Sequence, residues 1–162
     1  MGNRFPVMIC TRAKGGMRSV VESYVGVGLI ERWEFKILWS HEDAGFWGRF
    51  YMAAICFLKL LGLLVRRKVS FLHLHMAMRG SFWRKSIYLL LAKMFGRPSI
   101  IHLHGSEFRD FYRGLGGLRR SLVRRTFASA ECVIVLSRSW KDFVQSVCPT
   151  ASVKIVQNFV EV

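Results

Sequence analysis

Two His-x-His pairs close two apolar runs. "FLHLHMAMRG" carries His73 and His75, and "IIHLHGSEF" carries His102 and His104. Side chains at i and i+2 leave an extended chain on the same side. Each pair therefore offers two nitrogen ligands, two hydrogen-bonding groups or two general bases. Zinc sites of this kind usually add an Asp, a Glu or a third His. "HLHMAM" supplies no oxygen ligand, and beyond the second pair stand only Glu107 and Asp110, so the pattern argues against a metal. His73 and His102, one step back along each run, read as buried histidines with hydrogen bonds. His104 differs, because Gly105 clears space beside it while Ser106 and Glu107 can orient the ring or a bound hydroxyl. An imidazole there can donate to a ligand hydroxyl or take its proton. The competing reading is a histidine that only marks the end of a strand.

A second constellation is "TRAKGGMRS", a glycine turn between an apolar run and a helical pattern. Gly15 and Gly16 let the backbone approach a ligand closely, and the first N–H groups of a helix attract anions. The loop is neither a GxxxxGK[ST] phosphate loop nor a GxGxxG dinucleotide loop. A tight turn and a phosphate cradle both fit it. The third feature is basic: Arg66, Arg67 and Lys68, then Arg84 and Lys85 beside Phe82 and Trp83, then Arg119, Arg120, Arg124 and Arg125. Aromatic rings among cations suit a membrane interface; they also suit stacked bases.

The elements that must hold these residues alternate along the chain. Strand-like runs occupy 6–11, 34–39, 69–75, 99–104, 131–137 and 152–157. Helical patterns lie between them. The periodicity predicts one helix over 17–29, an apolar one around 47–65, and one over 81–95 with Ser81 as its N-cap. Further helices are predicted over 115–130, with Leu115, Leu118 and Leu122 on one side and Arg120 and Arg124 opposite, and over 137–147 with a Ser139–Asp142 capping box. Residues 105–114 read as a loop. Such alternation predicts an α/β, Rossmann-like, doubly wound and mostly parallel sheet covered on both faces. Ligands then sit at the carboxyl ends of strands. That rule places Lys14 to Gly16, His75, His104 and Ser137 around one crevice.

Composition narrows the partners. The 162 residues are 52% hydrophobic and carry 25 Lys and Arg against 10 Asp and Glu, a formal charge of +15. So large a surplus calls for an anionic partner. Cys10, Cys56, Cys132 and Cys148 form no CxxC pair, and "RFPVMIC" carries no leader, so reduced cysteines in a cytosolic protein are expected. The apolar run Phe50 to Val65 is short of a bilayer span and holds Lys59 and Gly62, so it reads as a buried or half-buried helix.

"GGMRSVVESY", "HLHMAMRGSFWRKS", "IIHLHGSEF", "VIVLSRSWKDF" and "VKIVQNFVEV", in this order and at these distances, resemble the N-terminal half of a glycosyltransferase family 4 enzyme of the GT-B fold. The resemblance covers the whole chain. It implies one acceptor-side domain over 1–162, ending at an interdomain hinge about 157–162, with a donor-binding C-terminal domain beyond. It implies retaining transfer from a nucleotide sugar to a lipid-linked glycan acceptor in bacterial surface polysaccharide synthesis, with no metal or other cofactor in the chemistry. Gly15 and Gly16 would face the donor diphosphate, and His104 would hold a hydroxyl of the transferred sugar. Arg79, Arg84 and Lys85 would lie toward the acceptor and its phosphate, with Glu107 and Ser137 bordering the substrate. The setting would be the cytoplasmic face of the cell membrane, against anionic lipid. Nucleic acid is not expected, since no RNP, zinc-finger or basic-zipper signature occurs. The alternative is a non-catalytic basic α/β module that binds anionic lipid or nucleic acid.

Overall fold

Runs rich in Val, Ile and Leu become strands because β-branched side chains pack well on a pleated surface. The computed structural model describes residues 3–13, 15–43, 45–105 and 107–157. Within them lie β1 (Phe5–Cys10), α1 (Gly16–Gly26), α2 (Leu29–Arg32), β2 (Lys36–Trp39), α3 (Phe46–Val65), β3 (Val69–Met76), α4 (Gly80–Met94), β4 (Ser99–Leu103), α5 (Phe108–Arg113), α6 (Gly117–Ser129), β5 (Cys132–Val135), α7 (Arg138–Val147) and β6 (Val153–Ile155).

The strands form one six-stranded sheet in the order β2-β1-β3-β4-β5-β6, parallel throughout. It is an α/β Rossmann-like fold. The chain winds outward from β1 in both directions, so the order reverses between β1 and β3. Ligand crevices form at such a point.

Register assigns every strand residue to a face. Val7, Ile9, Leu72, Leu74, Met76, Ile101, Leu103, Val133 and Val135 line one face, packed with Cys56, Leu60 and Leu64 of α3, Phe82 of α4, Val123 and Phe127 of α6, and Val144 of α7. Met8 and Cys10 line the other, packed with Val21 of α1 and Ile30 of α2. On β5 this second face carries Cys132 and Ile134, which are half-buried. Helices cover both faces, as the strand pattern predicts, with more of them packed on the first.

Several boundaries differ from expectation for local reasons. The helix expected over 17–29 is two helices, because Gly28 adopts a left-handed conformation (φ 68°) that starts a new turn. Residues 108–113 are helical where a loop is expected. Ser81 is not the cap of α4: that position is Arg79, and the Ser81 hydroxyl instead accepts from the Ala77 N–H at 3.3 Å. The cap of α7 is Ser137, accepting from the Trp140 N–H at 3.4 Å, while Asp142 pairs with Arg138. In α6 the inward residues are Val123 and Phe127, and Leu118 is exposed. The expected hinge lies almost wholly in 158–162, outside the described residues.

α3 departs most. Among the described residues it is the one helix long and apolar enough to cross a membrane by length and composition. Only Cys56, Leu60 and Leu64 are buried in it. Trp47 is 77% exposed and Leu58 63%, and Phe50, Tyr51 and Val65 are exposed beside them.

Candidate active site

The carboxyl ends of β1, β2 and β3 converge on a cavity of about 440 Å³. Thr11, Ala13, Gly15, Gly16 and Met17 line it from the loop after β1 and the start of α1. His41 and Arg49 come from the β2–α3 connection and the first turn of α3, and Gly80, Ser81 and Arg84 from α4. Gly15 caps α1 at φ 136°, a conformation that L side chains rarely adopt, and a Cβ at Gly15 or Gly16 would meet only open space. The loop is therefore a platform of backbone with room above it. α1 has no acidic residue in its first turn and no side-chain cap, and α4 likewise. Two uncapped helix N-termini face the same space, and each end carries partial positive charge.

Side chains reinforce that sign. Arg49 and Arg84 line the cavity, and no carboxylate is among its lining residues. Nε of Arg84 is buried without a hydrogen-bond partner among the described residues. His41, held 3.2 Å from the Thr11 hydroxyl, has its pKa lowered by burial and then by the Arg84 and Arg49 charges. It is therefore a neutral donor or acceptor. The arrangement suits a phosphate or diphosphate.

A second cavity of about 450 Å³ adjoins the ends of β3 and β4. It is lined by Met78, Arg79, Glu107, Asp110, Phe111, Gly114, Leu115 and Arg119. Mixed charge over an aromatic floor suits hydroxyl groups and a sugar ring better than a bare anion. Arg79 enters this site with φ 53° and ψ −128°. A non-glycine residue in that region is strained, and such strain collects where a side chain is held for a ligand.

His104 sits between these features but lines neither cavity. It is 6% exposed, its backbone N–H donates to the Met76 carbonyl at 2.6 Å, and its Nε2 meets Nδ1 of His75 at 3.0 Å. Burial, followed by repulsion from His102 and Lys85, lowers its pKa to about 2. A base so weak takes up a proton poorly. The ring therefore acts as a hydrogen-bonding group. Gly105, at φ 130°, lies 3.9 Å from Ala77 measured to the Cβ it lacks, so β3 and β4 approach closely just above His104.

The structure divides the other expected residues. Gly15, Gly16 and Arg84 share the first cavity; Arg79 and Glu107 share the second. Lys85 lines neither. It is fully buried, its ammonium donating to the His75 carbonyl and, at 3.3 Å, to the Ser81 hydroxyl, and burial followed by the Arg84 charge lowers its pKa to about 7. The reason is helical spacing: Arg84 faces the cavity and Lys85 turns one position further, onto the end of β3. Ser137 caps α7 and lines neither cavity. Lys14 and Ser106 lie outside the described residues.

Thr11, His41 and Arg49 are the lining residues that sequence reasoning passes over. The strand-end rule points to them, since "SHEDAG" follows β2 directly. The histidines His73 and His102, expected to be hydrogen-bonded, have Nε2 of the first and both nitrogens of the second without partners among the described residues.

No curated protein sequence matches the chain. A family model described as a glycosyl transferase 4-like domain matches residues 4–158. The matched stretch runs from β1 past β6 and includes both cavities. The chain thus belongs to the glycosyl transferase 4-like domain family.

Proposed function

We propose that the chain is the acceptor-side, N-terminal domain of a retaining glycosyltransferase of the GT-B fold. It serves transfer of a sugar from a nucleotide-sugar donor to a lipid-linked glycan acceptor in bacterial surface polysaccharide synthesis. The observation that carries the reading is the first cavity: two uncapped helix N-termini, Arg49 and Arg84, with no carboxylate in the lining, at the reversal of strand order. In the reaction, the bond from the anomeric carbon to the diphosphate oxygen breaks and the acceptor hydroxyl oxygen bonds to that carbon on the same face. The hydroxyl proton passes to the departing diphosphate. Gly15, Gly16 and Arg84 stabilise the charge that develops there. Arg79 and Glu107 hold hydroxyls, and His104, at the end of β4 between the two cavities, contributes a neutral hydrogen bond to the transferred sugar. No metal takes part. A second domain supplies most of the donor contacts, so the 162-residue chain alone turns over negligibly.

The exposed stripe of α3 favours a peripheral position on the cytoplasmic face of the membrane. Trp47, Tyr51, Leu58 and Val65 project to solvent while Arg66 and Arg67 follow at its end. Apolar residues settle at the headgroup boundary and cations meet anionic lipid there, each contributing about 1 kcal/mol. Leu58→Asp should weaken co-sedimentation with anionic vesicles severalfold, and high salt should release the domain. Equal binding to neutral and anionic vesicles would remove the electrostatic part of this account.

The transfer reading is tested in the enzyme carrying both domains, with labelled nucleotide sugars and polyprenyl-linked acceptors. Arg84→Ala should lower kcat roughly 100-fold or more, as removal of a donor to a developing charge does. If no donor supports transfer and the chain binds anionic vesicles or RNA with no affinity for diphosphate, the non-catalytic module is the correct reading.

A further inference from the structure

The sugar-transfer reading leaves three histidines without a role. His73 and His75 on β3 and His102 on β4 project from the second face of the sheet, and their ligand nitrogens all lie within 4.8 Å of one another. His73 and His75 stack with ring centroids 4.6 Å apart, and His75 and His102 are 5.0 Å apart. All three are buried. Nε2 of His73, Nε2 of His75 and both ring nitrogens of His102 have no hydrogen-bond partner among the described residues. Each buried polar atom left unpaired costs about 1–3 kcal/mol. Four in one spot call for an ion or a water.

We propose that His73, His75 and His102 bind a single divalent transition-metal ion, zinc by chemistry, with His104 as the positioning residue that orients His75. Three imidazoles without a carboxylate suit zinc, cobalt, nickel or copper and suit magnesium and calcium poorly. The tautomers follow from the one hydrogen bond present. If Nδ1–H of His75 donates to Nε2 of His104, then Nε2 of His75, the unpartnered atom, carries the lone pair that a metal needs. A metal-bound histidine is commonly held through its other nitrogen in this manner. Tetrahedral zinc with Zn–N bonds of about 2.0–2.1 Å sets ligand nitrogens about 3.3 Å apart. Closing from 4.8 Å needs a shift of about 1.5 Å at most. Rotation about the side-chain torsions of His73 and His102 supplies it, since neither has a hydrogen bond to lose at its free nitrogens. The fourth position takes water, and its loss of a proton to give hydroxide offsets part of the buried charge.

The site is structural. It ties β3 to β4 directly beneath His104, and it asks nothing of the transfer chemistry.

The test uses the purified chain stripped with a chelator and titrated with cobalt(II), then with zinc competing. One cobalt per chain with the intense visible absorption of tetrahedral coordination is expected, displaced by one equivalent of zinc, and zinc should raise the melting temperature. His102→Phe keeps a planar ring, slightly larger, removes two unpaired nitrogens, and should fold about as stably without metal while binding cobalt more than about 100-fold more weakly. His104→Ala should weaken binding about 10- to 100-fold without abolishing it, as loss of an outer partner does. Absence of stoichiometric binding would overturn the site, as would binding unchanged in His102→Phe or lost only in His41→Ala. So would a zinc-soaked crystal structure with ordered waters on these nitrogens and no metal.

Discussion

The two faces of the sheet differ although they alternate residue by residue along the same strands. One is apolar apart from Ser99 on β4 and the edge residue Lys36, running from Val7 and Ile9 through Leu72, Leu74 and Met76 to Val133 and Val135, and four helices press on it. The other carries Met8, Cys10, His73, His75 and His102, under α1 and α2. The first face removes apolar area from water, which is the main favourable term in folding. The second buries imidazoles that water would solvate better. β3, with Leu74 on one face and its neighbours His73 and His75 on the other, thus serves two opposed purposes. Stability is concentrated on the face away from the histidines, and that surplus lets the other face hold groups that a core normally excludes.

The largest expected effect lies in acid. His73, His102 and His104 have pKa values lowered to about 3, 4 and 2, and that of His75 is lowered well below 6.5, in every case chiefly by burial. The unfolded chain takes up these protons near pH 6.5 and the folded chain does not. Stability is therefore complete above about pH 6.5 and falls as pH drops toward the folded values, by up to about 1.4 kcal/mol per histidine per pH unit. The metal-free chain should unfold between about pH 6 and pH 4, as followed by circular dichroism. If stability is flat down to pH 4, the histidine face is wetter than its burial indicates.

Next comes the packed face. Phe82 is fully buried against Phe108 and Phe127. Phe82→Ala should cost about 3–5 kcal/mol in urea denaturation. On the other face, replacing His73 by Phe should change stability by less than about 1 kcal/mol or raise it, because an unpaired buried nitrogen goes as apolar area arrives. Equal losses at Phe82 and His73 would erase the contrast between the faces. The smallest effect belongs to Ser137, on the packed side. Ser137→Ala should cost about 1 kcal/mol through the lost cap on α7. A loss of transfer beyond that stability cost would return Ser137 to the substrate.

Much of this division is readable before folding. The β-branched runs at 69–75 and 99–104 announce buried parallel strands, and the i, i+2 rule places both histidines of each pair on one side. What alternation cannot say is register. His75 lies opposite His102, not His104, and only that offset of one pair stacks three rings into a cluster. The absence of nearby carboxylates argues against a metal on sequence grounds, since the third histidine comes from another strand. Helical periodicity has a similar blind spot in α3. A run apolar on nearly every side does not reveal which side meets the sheet, and here the aromatic side faces out. The glycine loop, with Thr11 at its start, is legible as a close-approach turn, whereas His41 and Arg49 arrive from the stretch after β2 and need the strand order to bring them to it.

The position of β1 also bears on the order of events during synthesis. β1 pairs with β2 on one edge and with β3 on the other, Ile9 lying opposite Leu38 and Leu74. Ile9 and Leu74 are 65 positions apart (74 − 9), and ribosomes add about 5–20 residues per second. The second edge of β1 therefore waits roughly 3–13 s for its partner. In that interval α3, with its aromatic side exposed, emerges before β3 and has only two of the six strands to rest on. Limited proteolysis of stalled nascent chains should find β1 protected only after Met76 has cleared the exit tunnel. Until then the inward stripe of α3, Cys56, Leu60 and Leu64, lacks β3 to pack against.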